Sequence, residues 1–249
     1  MRGFAAYLRF EVARTLRNPA YIMFTLGFPL AFYLLFTSLY GSQASAGGFD
    51  FNSFYMVSMA AYGAFGAAIQ ANSTRLSMER SGGWVRQLRV TPLAPLPYVL
   101  AKAAMALAVA GPALALVSLA GVLFHGVQMP ATAWVAYLLS MWLGVIPFAV
   151  LGVLLGYLFD SQSAGGAVMV IYFALSILGG MWFPPQVMPK VMRAIAHLMP
   201  SYHYVELGWN AVADHALGWG HIAVLLGYTA VFALLAMWRY RRDEAKEYA

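Results

Sequence analysis

Long uncharged apolar runs divide this 249-residue chain, and its basic residues collect in the gaps between them. Of the 15 Lys and Arg residues, Arg2, Arg9, Arg14 and Arg17 precede the first run. Arg75, Arg80, Arg86, Arg89 and Lys102 lie between the second and third, and Arg239, Arg241, Arg242 and Lys246 follow the last. A run of about 20 apolar residues crosses the hydrocarbon core as a helix, because lipid offers no partner for an unpaired backbone group. The runs fall at about 20–40, 52–73, 98–124, 131–159, 161–183 and 219–238. Six crossings return both ends and the loop 75–97 to one face, and Lys and Arg concentrate on the cytoplasmic face. The sequence therefore predicts one all-α polytopic domain over 1–249 in the cell (inner) membrane. Both termini and the loop 75–97 are cytoplasmic in this reading.

With 62% hydrophobic and 10% charged residues and a mean hydropathy of +0.69, the composition excludes a soluble globule. A net charge of +6 in a soluble protein would point to nucleic acid; beside membrane spans, anionic headgroups account for it. The chain has no cysteine, which excludes disulfides, a thiol nucleophile and thiolate metal sites. No cleavable signal is read at the N-terminus. Phe4, Leu8, Val12 and Leu16 form an apolar stripe opposite four arginines, which predicts an amphipathic interfacial helix over 1–18. Lys102 is expected to snorkel to the interface. Asp160 sits in a tight cytoplasmic hairpin between the fourth and fifth spans, and the outer loop Gly41 to Asp50 reads as small and flexible. The segment 184–218 holds Pro184, Pro185, Pro189 and Pro200, with helix-length pieces around 187–198 and 201–214. Neither piece is long enough to cross, so a pair of short outer helices is expected, re-entering or capping the outer leaflet.

The chain lacks Gly-Lys-Ser and Gly-Lys-Thr, and with them a phosphate-cradling loop. The six runs also carry no Asp or Glu, the groups an ion-coupled carrier keeps at mid-membrane depth. Energy must then come from a partner, or none is used. The loop after the second run shows where a partner could act. Glu79-Arg80 followed by Gly82-Gly83 ends one helix; Trp84 and Leu88 then share a face of a short amphipathic helix, with Arg86 and Arg89 on other faces, and Thr91-Pro92 ends it. An apolar anchor on such a helix suits a groove in a soluble protein. On charge alone, the same residues read as a solvated loop that only sets topology.

This loop resembles that of the permeases of type-2 ATP-binding-cassette exporters, which carry Glu-Arg, then glycine, Leu-Arg and Thr-Pro-Leu before a lysine. Glu79, Arg80, Gly82 or Gly83, Leu88, Arg89, Thr91, Pro92, Leu93 and Lys102 match in order. The layout is similar over nearly the whole chain, from Asn18-Pro19 before the first span to the two short outer helices before the last. The resemblance implies a permease that is itself no enzyme, working as a dimer, most simply a homodimer, above two soluble ATPase subunits. ATP and magnesium would bind those subunits and not this chain. Glu79, Arg80, Gly82, Gly83, Trp84, Arg86, Leu88 and Arg89 would couple the permease to the ATPase, with the N-terminal helix also touching it. Cargo would pass between the two permeases along the first, second and fifth spans.

Within those spans Phe32, Tyr33, Phe36, Tyr40, Tyr55, Tyr62 and Phe65 supply aromatic faces, and Gln70 and Asn72 supply amides. Of these, Phe32, Tyr33, Phe36, Tyr55, Tyr62 and Gln70 are the candidate pathway residues. Such a surface suits a hydrophobic or amphipathic cargo, such as a drug, antibiotic or lipid-like compound, or a sugar face. Glycan export and a stand-alone carrier or channel are the alternative readings. His203 and Glu206, one turn apart with His197 nearby, could hold a metal or serve a membrane-embedded enzyme; without a further convergent ligand or nucleophile they read as interfacial polar residues.

Overall fold

A computed structural model describes residues 17–41, 45–46, 49–82, 95–213, 215 and 218–247. The predicted interfacial helix over 1–18 lies outside them, apart from the turn at Arg17 and Asn18. Asn18 caps the first helix, its Oδ1 accepting from Tyr21 N at 3.2 Å, and Pro19 follows at the first helical position. Helix α1 runs Pro19–Ile22, a π-helical stretch Met23–Gly27, and Phe28–Tyr40. Its geometry has a cause. Pro29 cannot donate to the carbonyl four residues back, at Thr25, and Phe28 N–H reaches back to Met23 O instead. The next helix comes close at this stretch: a Cβ on Gly63 would lie 2.9 Å from Thr25 O.

The loop that follows contains a two-residue antiparallel ladder, with strand β1 at Ser45–Ala46 and β2 at Phe49–Asp50. Helix α2, Phe51–Ser81, starts at Asp50, whose Oδ2 accepts from Ser53 N and Oγ, both at 3.1 Å. Every residue from 54 to 69 is buried, so α2 is the hub around which the other helices pack. Small residues at Ala60, Gly63, Ala64 and Ala67 allow that approach.

Helix α3 spans Pro95–His125 and ends at Gly126 (φ +62), after which Val127 N–H returns to Gly121 O at 3.1 Å. The predicted fourth run is two helices, α4 at Ala131–Leu143 and α5 at Ile146–Leu158. Gly144 and Val145 form the break, because Pro147 has no N–H to continue the ladder. Helix α6, Ala164–Leu178, covers 15 residues of the expected 161–183. It is preceded by a turn in which Asp160 Oδ1 accepts from Gln162 N, Ser163 N and Ser163 Oγ at 3.0, 2.7 and 2.8 Å. That exposed carboxyl is held below the usual range by the Ser163 backbone and hydroxyl bonds. Gly180 (φ +85) ends the segment.

The segment 184–218 holds two short helices: after a 3₁₀ turn Pro185–Val187 come α7 at Lys190–Ala196 and α8 at Pro200–Val212. Helix α8 is deeply packed. Trp209 stacks on Phe54 of α2 at 4.5 Å and donates to Ser58 Oγ at 3.2 Å. In and around α7, by contrast, Val187, Val191, Ile195 and Leu198 are exposed. The last helix, α9, runs Trp219–Glu247.

The fold is thus all-α apart from the two-residue ladder. Among the described residues four helical stretches are long and apolar enough to cross a membrane: Met23–Tyr40, Lys102–His125, Ala131–Leu158 and Trp219–Arg242. Ala164–Leu178 is apolar but shorter. Helix α2 has the length and buries Ser58, Asn72, Ser73 and Ser77 inside the bundle.

Candidate functional site

The C-terminal end of α2 carries a polar junction among the described residues. Because no glycine or proline interrupts residues 74–81, the helix continues through Arg75, Glu79 and Arg80 to Ser81, ahead of the Gly82-Gly83 pair read as its end. Residues 95–97 are likewise helical, so the connecting segment is shorter than 75–97. Lys102 does not snorkel. It is 3% exposed, and its Nζ donates to Glu79 Oε1 at 3.1 Å and Oε2 at 3.0 Å. A carboxylate within reach satisfies a buried ammonium without the side chain having to leave the bundle. Arg75 Nε stands 3.5 Å from the same carboxylate.

Arg80 ties α2 to a second helix. Its Nη1 donates to Gly156 O and Tyr157 O, each at 2.9 Å, and its guanidinium lies 5.3 Å from the Tyr157 ring centroid. These carbonyls belong to the last turn of α5, where unpaired C=O groups and the helix dipole favour a cation. Two turns earlier on α2, the buried Asn72 donates through Nδ2 to Lys102 O at 3.3 Å and Ala149 O at 3.1 Å. The α2–α5 seam is close: a Cβ on Gly152 would stand 2.6 Å from Ile69 O, and one on Gly156 2.7 Å from Leu76 Cβ. Three polar side chains of one helix therefore bind it to α3 and α5. Gly82 ends α2, its N–H bonded to Met78 O at 2.9 Å. Gly83, Trp84, Arg86, Leu88 and Arg89 lie outside the described residues.

The aromatic candidates separate into two groups. Phe32, Phe36, Tyr55 and Tyr62 join one continuous wall across α1, α2 and α6. Phe32 stacks with Phe28 at 4.2 Å and with Phe36 at 5.7 Å, and Phe36 meets Tyr55 at 5.2 Å. Trp182 stands edge-on to Phe32 at 5.3 Å and to Tyr62 at 5.4 Å, steadied by its Nε1 bond to Ser176 Oγ at 3.1 Å. Tyr172 stacks on Tyr62 at 4.6 Å and donates to Tyr62 O at 2.9 Å. Tyr33 is not in this wall; it is fully buried on an adjacent face of α1, edge-on to His125 at 5.3 Å. Phe65 joins the wall to Phe148, its ring 5.0 Å from Tyr172 and 4.5 Å from Phe148. Gln70 lies two turns below Tyr62, with its Nε2 buried and without a hydrogen-bond partner among the described residues. Phe28, Phe51, Tyr172, Phe173 and Trp182 were missed from the sequence. Phe28 was within its reach, being one turn before Phe32 on the same face.

At the other end of the bundle, His203 Nδ1 lies 2.8 Å from His221 Nδ1, and His203 Nε2 lies 2.9 Å from His197 O. Burial holds the His203 imidazole below its usual range and raises the Glu206 carboxyl. His221 was not singled out in the sequence because it falls inside the last apolar run. Among the described residues no group of three or more His, Cys, Asp or Glu side chains is arranged to hold a metal ion.

Comparison with known proteins places this architecture. Residues 2–210 match the family described as ABC-2 type transporter. The chain is 30% identical over 235 residues to the transport permease YvfS of Bacillus subtilis (strain 168), covering 94% of this chain and 96% of that protein. It is 27% identical over 183 residues to the inner membrane transport permease YhhJ of Escherichia coli (strain K12), covering 70% of this chain. That match spans 48% of YhhJ, about half its length. A multi-pass bundle of apolar helices, matched to this family over most of its length, belongs to the ABC-2 type transporter family of membrane transport permeases.

Proposed function

We propose that this chain is the transmembrane subunit of an ATP-driven exporter, powered by a separate soluble ATPase and working as a dimer of permeases. Its six crossings are α1, α2, α3, the broken pair α4–α5, α6 and α9, with both termini cytoplasmic in the inner membrane and α7–α8 set into the outer leaflet. The junction at the inner end of α2 carries this reading. A push on the segment after Gly82 would move α2, and through Glu79–Lys102 and Arg80 it would move α3 and α5 as one body. In this scheme Trp84 and Leu88, with Gly83, Arg86 and Arg89 around them, seat in the ATPase. Glu79 and Arg80 transmit the movement. ATP binding draws the two loops together and shifts the dimer between inward-facing and closed or outward-open states. The aromatic wall of α1, α2 and α6 faces the cargo, and a second copy completes the path. Its π-faces suit a hydrophobic or amphipathic compound.

Docking and transmission separate experimentally. Gly82→Pro with Trp84→Ala should abolish ATPase association while leaving membrane insertion intact. Glu79→Lys and Lys102→Glu should each co-purify with the ATPase yet lose about tenfold or more of ATP-driven transport, and the paired exchange should restore much of it. Full transport by either single variant, or an exchange no better than the singles, would overturn the transmission role.

A further inference from the structure

We propose that His203 and His221 together form a proton-binding site that fastens the outer helices α7 and α8 to the start of α9 and releases them when both rings are charged. The heavy-atom positions fix the chemistry. His203 Nε2 faces a carbonyl oxygen at 2.9 Å, so it carries a hydrogen and donates. In the neutral pair His203 Nδ1 is then a lone pair, and His221 Nδ1–H donates to it across 2.8 Å.

One added proton is tolerated. It binds His203 Nδ1, and His221 shifts its own hydrogen to Nε2 and accepts at Nδ1. A second proton leaves two N–H groups pointing at each other between two cations, and the contact must open. The spacing also distinguishes a proton from a metal ion. Two nitrogens on one tetrahedral zinc ion stand about 3.3 Å apart, whereas 2.8 Å is a hydrogen-bond length.

What the pair joins gives it consequence. His203 lies in the first turn of α8, His197 ends α7, and His221 lies in the first turn of α9. The three rings share one aromatic neighbour, Tyr202, at 4.6 Å from His197, 5.3 Å from His203 and 6.1 Å from His221. Other titratable groups surround the pair: Glu206 on α8, His215 after it, and Tyr228 on α9, which donates to Leu198 O at 2.5 Å. On α7, Arg193 is bound to the carbonyls of Pro185, Gln186 and Met188. Lys190, at the start of α7, is the remaining charged group there. Burial lowers both imidazoles, so the tie is complete above the ordinary imidazole value of about 6.5 and opens only below it, when the second proton binds. The chemistry is independent of topology; only the claim that external pH operates it rests on the orientation proposed above.

The cysteine-free chain allows clean spin labelling. Val191→Cys on α7 and Trp219→Cys on α9 are both exposed positions. Electron–electron distance measurements on the full-length labelled protein in lipid should give one distance at about pH 8 and a second, longer population that dominates near about pH 5. The same pair in a His221→Asn background places a non-titrating amide where Nδ1 stands, and should hold one distance throughout. An identical distribution at both pH values in the parent protein would overturn the proposal. So would a pH response of equal size in the His221→Asn protein, since the response would then belong to other groups.

Discussion

Alanine at Gly152 or Gly156 would strengthen a helix whose glycine face met only lipid, because glycine costs about 1 kcal/mol relative to alanine in a helix interior. In this bundle the added methyl meets backbone. At Gly152 the Cβ would stand 2.6 Å from Ile69 O, against ordinary contacts that begin near 3.4 Å, a shortfall of 3.4 − 2.6 = 0.8 Å. At Gly156 it would stand 2.7 Å from Leu76 Cβ and 2.9 Å from Ser73 O. Neither obstacle is the free end of a flexible side chain, so α2 and α5 must part by most of that distance. Parting also stretches the Asn72 bond to Ala149 O, now 3.1 Å, and the Arg80 bonds to Gly156 O and Tyr157 O. Overpacking of this kind costs about 1–3 kcal/mol, which exceeds the gain in helix propensity. Each variant should therefore lose up to about 2 kcal/mol net, a fall of about 2–6 °C in the midpoint of thermal unfolding of the detergent-purified permease. Gly166→Ala on α6 and Gly227→Ala on α9, where nothing lies within 4 Å of the added carbon, should be neutral or stabilising. A Gly152→Ala protein that melts at or above the parent temperature would refute the close seam, and with it the rigid α2–α3–α5 unit.

Three further outcomes follow from the packing. Trp209→Phe keeps the stack on Phe54 but removes the buried donor to Ser58 Oγ, and should cost about 1 kcal/mol in the same melt, because Ser58 retains its own bond to Phe54 O. Gly180→Ala forces a side chain into φ +85 against Pro185 Cγ at 2.9 Å, and should destabilise the turn between α6 and the outer helices, read as faster proteolysis there. Asp160 has a depressed carboxyl, so its contribution is present above the ordinary aspartate range and lost as pH falls through its lowered folded value; Asp160→Ala should lower the melting point at neutral pH and have less effect in strong acid.

The four long apolar stretches were legible because lipid imposes a length and a composition on a crossing helix, and that constraint is local in sequence. The break at Gly144 and Pro147 was visible as a proline in a long run, though not as two helices. What the sequence could not place was long-range pairing. Lys102 and Glu79 are 23 residues apart, and no local pattern distinguishes a lysine that snorkels from one that ends on a carboxylate. The end of that helix was legible, since the Gly82-Gly83 pair marks it, but the partners that Glu79 and Arg80 find on α3 and α5 were not. Phe32 and Phe36 were grouped with Tyr33 by composition; helical phase puts Tyr33 a third of a turn away, against His125. The His203–His221 contact joins two helices 18 residues apart and is not visible in either one alone.

The central claim is that this chain is a conduit whose driving force comes from an ATPase acting at the inner end of α2. Its most direct test is co-reconstitution of the purified permease with that ATPase in liposomes, following movement of a fluorescent amphiphile. Transport should require both proteins and ATP, and neither protein alone nor a proton gradient should replace them. ATP-independent flux through the permease alone, at the rate of the complete system, would contradict the account.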